Sequence, residues 1–452
     1  MNSVAPQSMT GDQATVTNLH AAVAPRPRTV EETGLSSAFL ADLISKHLLH
    51  GRAATISELS QNCALSGGIL DEVVNSLREE SRVEVLGNFD QSQTLRYALT
   101  DRGRSLALDA LMRSSYTGPA PVPIKDYARA VTAQSIHQQE VTKEMVDELF
   151  SEVVVADDIR EQLGLSMNSG KATFVYGSAG TGKTYLTAML PRLFSDDVLV
   201  PHAIAVNEAV VPVFDPLIHK AIGSRGGTTL MLGDGFDQRF VRVERPVVIS
   251  GGELTAEMLE VQYDAATKEY LPPLQLKANN GIFIIDDMGR QRVSPKVIFN
   301  RWIVPMEEKI DYLALGAGRH FSVPFDQILI FSTNMNPLEL ADEAFLRRIG
   351  YKIQFPHVTP SQYRQIWTDI CRDKRIGSDP DVLDYVIDEL HSKSGTPLLP
   401  CHPRDLVGIA LDQTIYLRQP RHITKEHVRK AWSNYFVSID SSDDSNKGSQ
   451  TC

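Results

Sequence analysis

Apolar residues fall into three regimes along the chain. From about Leu35 to Arg113 they recur at helical spacing, which predicts helices near 36–49, 56–62 and 67–80, strands at Val83–Leu86 and Leu95–Leu99, and a helix from Arg102. Through the middle they condense into short runs, Ala172–Tyr176, Gly281–Ile285 and Ile328–Phe331, the pattern of strands buried on both faces of a parallel sheet, and a further strand is expected at Tyr351–Phe355. From Thr359 to Val437 helical spacing returns, with Gly and Pro signals separating four helices. The expected fold class is therefore α/β, a parallel-sheet core with a helical lid behind it and a small helical and stranded unit in front.

The remaining segments follow from composition. Residues 1–34 and 438–452 are polar and lack periodicity, and both read as disordered. Pro119, Pro121 and Pro123 mark 114–138 as a semi-rigid linker between the first unit, 35–113, and a core domain spanning 139–358, with the lid at 359–437. An insertion between about Asp197 and Gly235 contains two apolar strands around Asn207-Glu208, expected to form a hairpin that either binds a substrate or extends the sheet. The element order of the first unit resembles a winged helix-turn-helix, with Tyr97–Gly103 leaving the wing.

Charge argues against DNA as the partner of that unit. The chain carries a formal net charge of −11, and residues 35–115 hold eight Lys or Arg against ten Asp or Glu. The would-be recognition helix presents Asp71, Glu72, Glu79 and Glu80 against Arg78 alone, and phosphates would repel it. DNA association is thus disfavoured and docking of a protein preferred. No apolar stretch approaches the roughly 18 residues of a membrane span, and no secretory signal is present, so no membrane insertion and a cytoplasmic location are expected. Cys63, Cys371, Cys401 and Cys452 lack disulfide or zinc spacing, and no Ser, Cys or His sits in a nucleophile context.

Candidate chemistry concentrates at Gly177-Ser178-Ala179-Gly180-Thr181-Gly182-Lys183-Thr184, a complete G-x-x-x-x-G-K-[ST] motif after an apolar strand. Its glycines let successive backbone N–H groups converge on one anion, Lys183 would reach the outer phosphates of ATP, and Thr184 would bind Mg²⁺. About 100 residues on, the run ending in Asp286-Asp287 supplies a carboxylate for Mg²⁺, Asp286, and a second, Asp287, to orient or deprotonate water. A third strand ends near Asn334, placed to touch the γ-phosphate or the lytic water. Arg347 and Arg348 precede the next strand, and Arg404 follows Pro403 at a helix start.

This order of motifs over residues 140–437 resembles the AAA+ ATPases, with the MoxR-like group the nearest in pattern. The resemblance implies Walker A at Gly177–Thr184, Walker B at Asp286-Asp287, sensor 1 at Asn334, an arginine finger at Arg348 or Arg347, and sensor 2 at Arg404. It further implies a homo-oligomeric ring, commonly a hexamer, in which ATP hydrolysis remodels a protein client. Gly252–Leu259 looks like the interrupted helix of that group, Val261–Leu276 like its inserted hairpin with a turn near Ala265–Lys268, and Tyr312–Phe325 like its pre-sensor hairpin. Such hairpins face the pore or the client, or serve as ordinary sheet edges. Asp287 departs from the family's usual Glu, which points to slow turnover or to a nucleotide-gated scaffold.

Overall fold

The computed structural model describes residues 20–86, 94–222, 235–316 and 318–436. At its centre lie five strands, β1 (Thr173–Tyr176), β2 (Val247–Ser250), β3 (Gly281–Ile285), β4 (Gln327–Thr333) and β5 (Tyr351–Gln354), all parallel in the order β2-β3-β4-β1-β5. Alternate residues of each strand point to opposite faces. One face stacks Phe174, Phe283 and Phe331 against Phe299, Trp302 and Phe345, with Phe299 and Phe345 ring centroids 4.1 Å apart. The other sets Val175, Ile284, Ile330 and Ile353 against Leu163, Met167 and Leu190. Parallel pairing puts every strand's carboxyl end at one edge, where Gly177, Gly251, Asp286 and Asn334 follow in neighbouring loops. This is the parallel-sheet P-loop core expected from the sequence.

The lid is four helical segments, Pro360–Asp373, 380–394, Cys401–Tyr416 and Lys425–Tyr435. Thr359 with Gln362 and Thr424 with His427 form capping boxes that start the first and last. Its core, built on Tyr363, Trp367, Val386, Leu406, Val407 and Val428, belongs to the lid alone.

The N-terminal unit contains helices Ser37–Gly51, Ile56–Cys63, Gly67–Glu79 and Asp101–Arg113, and strands Val83–Leu86 and Arg96–Leu99, close to the expected bounds. Ser36, Thr55 and Thr100 cap three of these helices through their hydroxyls. A third strand, Ala53–Ala54, completes the sheet by pairing with Arg96–Leu99. Two alanines carry no strand signal, so the pairing is visible only in three dimensions.

Two expectations about connecting segments are corrected. Of the N-terminal stretch read as disordered, residues 20–34 are packed: Val23, Ala24 and Val30 are buried, and His20 lies 3.1 Å from Asp197. Residues 1–19 and 437–452 lie outside the described residues, and with them the tail expected at 438–452. Nor is 114–138 a spacer. Tyr116, Ala120 and Val122 are buried, Val122–Pro123 pairs with Ala203–Val206, and Ile124–Ala133 is a helix. The prolines hold this stretch extended while every large apolar side chain between Tyr116 and Val122 finds a core. Arg239, itself buried and paired with Asp237 at 2.8 Å, donates to the carbonyls of Thr33 (2.9 Å) and Pro121 (3.2 Å) and so pins both stretches.

The insertion forms the expected hairpin, Ala203–Val206 with Ala209–Pro212, and Asn207 adopts the left-handed conformation at its turn. A second pairing joins Asp197–Pro201 to Phe240–Glu244. Ala203 and Val210 enter the core of the N-terminal unit, whereas Ile204, Val206 and Val211 meet Tyr127, Leu313 and Val323. Two further hairpins are present, Gln262–Asp264 with Glu269–Leu271 and Ile310–Ala314 with His320–Pro324. Where an interrupted helix was expected at 252–259, only the 3-10 turn Glu257–Leu259 forms. Among the described residues, no helix is long and apolar enough to cross a membrane.

Two outcomes follow from packing. A Cβ at Gly103 would fall 1.9 Å from the Arg82 carbonyl oxygen. Gly103→Ala should therefore cost about 1–3 kcal/mol, read as a lowered urea midpoint. His402, 3% exposed and stacked on His391, has its pKa pushed down from 6.5 to about 4 by burial. Because the folded state favours the neutral ring, the unfolded chain binds more protons between those values, so lid stability falls as pH drops from about 6.5 towards 4. His402→Gln should flatten that part of the stability profile, measured by denaturation at stepped pH.

Candidate active site

Gly177, Gly180 and Gly182 have φ of 146°, 82° and 91°, and these positive values let the loop between β1 and the helix Lys183–Met189 fold back on itself. Lys183 is 5% exposed, and its ammonium donates to the carbonyls of Gly177 (2.8 Å) and Ser178 (2.9 Å) and to Asn334 Oδ1 (2.7 Å). Burial lowers its pKa, while the charges of Asp286 and Asp287 act in the opposite direction. Thr184 donates to Asp286 Oδ2 at 2.7 Å. The loop, β3 and β4 thus converge through side chains predicted from sequence.

The acids are held by their strand neighbours. Asp286 N–H donates to the Ser250 carbonyl (2.8 Å), continuing the β2–β3 pairing. Asp287 turns into the left-handed region at φ 48°, and its Oδ1 accepts from Asn334 Nδ2 at 3.1 Å. Gln291 stabilises the turn by donating to the carbonyls of Asp286 (3.0 Å) and Asp287 (3.2 Å), and Thr333 donates to the Met288 carbonyl (2.7 Å). Asn334 accordingly links the lysine to the second carboxylate. Thr184 and Asp286, a hydroxyl and a carboxylate in contact, form the oxygen set that a Mg²⁺ ion would use.

The three arginines are not gathered here. Arg347 pairs with Glu343 (2.8 Å), Arg348 pairs with Glu307 and donates to the Ala344 carbonyl (2.8 Å), and Arg404 pairs with its neighbour Asp405 (3.2 Å). Among the described residues, no hydrogen bond or ion pair joins them to the loop or the two acids. Val153 and Val155 pack half-buried against the core.

Several site residues escaped the sequence reading. His357 lies 3.2 Å from the Ser178 hydroxyl, and Gln291 braces the acids. Leu399, Pro400 and Cys401 rest on the loop, and a Cβ at Gly180 would meet Cys401 Sγ at 2.6 Å. Motif spacing could have located His357, three residues beyond β5, but not its contact with Ser178, which is decided by tertiary packing.

The family described as Domain of unknown function (DUF8689) matches residues 359–434, the lid. No curated protein matches the chain. Among solved structures, the Thermotoga maritima RuvB Holliday junction branch migration motor is 11% identical, with 62% of this chain and 69% of that chain covered and a TM-score of 0.37. NtrX from Brucella abortus is 14% identical over 67% of this chain and 60% of that one, with a TM-score of 0.40. Similarity this distant carries no activity over, and function has to be argued from the site itself.

Gly180→Ala adds a methyl group where the φ is left-handed and the lid already touches. The expected result is a folded protein with nucleotide affinity reduced at least about tenfold, measured by titration with a fluorescent ATP analogue.

Proposed function

We propose that this protein is an AAA+ ATPase of MoxR-like type, acting as a homo-oligomeric ring that remodels a protein client. The observation that carries the reading is the convergence of Lys183, Thr184, Asp286, Asp287 and Asn334 at the carboxyl edge of a parallel sheet. Their chemistry suits a nucleoside triphosphate. Lys183 and the loop amides would hold the phosphates, Asn334 would hold the γ-phosphate or water in register, and Asp287 would orient water for in-line attack. Mg²⁺, held by Thr184 and Asp286, would supply charge neutralisation on the phosphates when bound.

Arg348, or Arg347, is assigned to the ATP of a neighbouring subunit, because within its own chain each is engaged elsewhere and partly exposed. Arg404, one helical turn beyond the Cys401 contact, is assigned to the lid's response to nucleotide. The N-terminal unit, read as a winged helix-turn-helix, is the adaptor for a protein; its Gly67–Glu79 helix turns Asp71, Glu72 and Glu79 to solvent, which disfavours DNA. A second reading, a nucleotide-gated scaffold with slow turnover, draws on Asp287, whose short side chain is tied to Asn334.

ATP turnover per chain should rise steeply with protein concentration, because a site completed by a neighbour works only in the assembly. Lys183→Ala should lower turnover about 100-fold or more, and a variant as active as the parent would refute the assignment. Asp287→Glu should raise the rate if the shorter acid limits water positioning. An unchanged rate would remove the basis of the scaffold reading.

A further inference from the structure

Resting on the ATPase reading, we propose that the hairpin Gln262–Asp264/Glu269–Leu271 is a latch through which the N-terminal unit restrains the nucleotide site. Hairpins of this position were expected to face a pore or client or to be ordinary sheet edges. Here the turn is clamped by the chain that leaves the N-terminal unit: Ser115 donates to the Thr267 carbonyl and lies 3.3 Å from Glu269 Oε1, and Lys268 Nζ approaches Met112 Sδ at 3.2 Å. The clamping segment is itself fixed, because buried Lys46 donates to the carbonyls of Ser114 (3.2 Å) and Tyr116 (2.7 Å). On its other side, the strand Glu269–Leu271 lies against Ala209–Pro212 of the insertion, and Tyr270 packs on the core to which Val211 belongs.

The base of the hairpin leads to the acids. Arg301 bonds Glu260 and Asp311, both at 2.6 Å, and Gln275 joins the Leu259 carbonyl (2.7 Å) to Asp311 (3.0 Å). From Leu259 the chain runs back through Leu254, buried in the core beside Phe283, to Glu253. Glu253 accepts from Ser250 Oγ (3.0 Å) and Gly251 N–H (2.7 Å), and the Ser250 carbonyl is the acceptor for Asp286 N–H. A shift of Asp286 on nucleotide binding would therefore be felt at Ser250 and carried along 250–262 to a hairpin whose far end is held by few, solvent-facing contacts. Ser115, Thr267 and Lys268 are the points where it lets go. By linkage, releasing the turn changes the nucleotide site as much as nucleotide loosens the turn.

Hydrogen exchange across 262–271 in the full chain, paired with ATP turnover and a direct nucleotide-binding titration, tests this. Mg-ATP should speed exchange of the hairpin in the parent but not in Lys183→Ala. Ser115→Asp, which sets a carboxylate against the Thr267 carbonyl and Glu269, should speed it about fivefold without nucleotide, the scale of one net hydrogen bond, and raise turnover about threefold or more. Ser115→Thr, which keeps the hydroxyl, should behave as the parent. Lys268→Asn opens the latch from the hairpin side, on a turn position whose left-handed φ of 56° suits Asn, and leaves the N-terminal core untouched. Freed hairpins with parental turnover would overturn the latch, as would a parent that hydrolyses ATP while its hairpin ignores nucleotide. A parent that binds no nucleotide would overturn the ATPase reading and the latch together.

Discussion

A buried ammonium has to be surrounded by oxygen, and at Lys183 that requirement decides where the loop, the strands and the acids go. Its three acceptors come from the start of the glycine-rich loop and from the end of β4. Because β4 lies beside β1 in the sheet, the loop that follows β1 can close on the lysine only when that neighbour is in place. Asn334 answers two demands at once, giving its carbonyl oxygen to the ammonium and its amide to Asp287. The two aspartates offset the cost of burying the positive charge, so the same groups that suit a phosphate also allow the site to fold.

What could be read from the sequence was whatever depends on local pattern. The run Gly281–Ile285 announces a buried strand because every residue is apolar or glycine, and the helix at Ile56–Cys63 is announced by the helical spacing of its apolar residues. Lys183, Thr184, Asp286 and Asn334 were legible because the loop and strand ends fix their spacing. Illegible were the contacts made between distant segments. Residues 20–34 and 114–123 are polar and proline-rich in local composition, yet one buried arginine, Arg239, more than a hundred residues away in sequence from either, supplies their carbonyls with donors. Gln291 and His357 look ordinary in sequence and gain their places only when strands bring them to the site.

The insertion explains why the N-terminal unit is not an appendage. Its hairpin puts Ala203 and Val210 into one core and Ile204, Val206 and Val211 into another, using the alternation of a strand to serve two neighbours. Apolar residues on both faces of a two-stranded ribbon, which looked like either a ligand platform or an added sheet edge, are accounted for as a joint between units.

The lid stands in contrast, since its core draws on residues of the lid alone. The N-terminal unit, by contrast, takes Ala203 and Val210 of the insertion into its core and so does not bury its apolar surface by itself. The family match covers nearly the same residues as the lid, 359–434, so its bounds coincide with a unit whose core is its own.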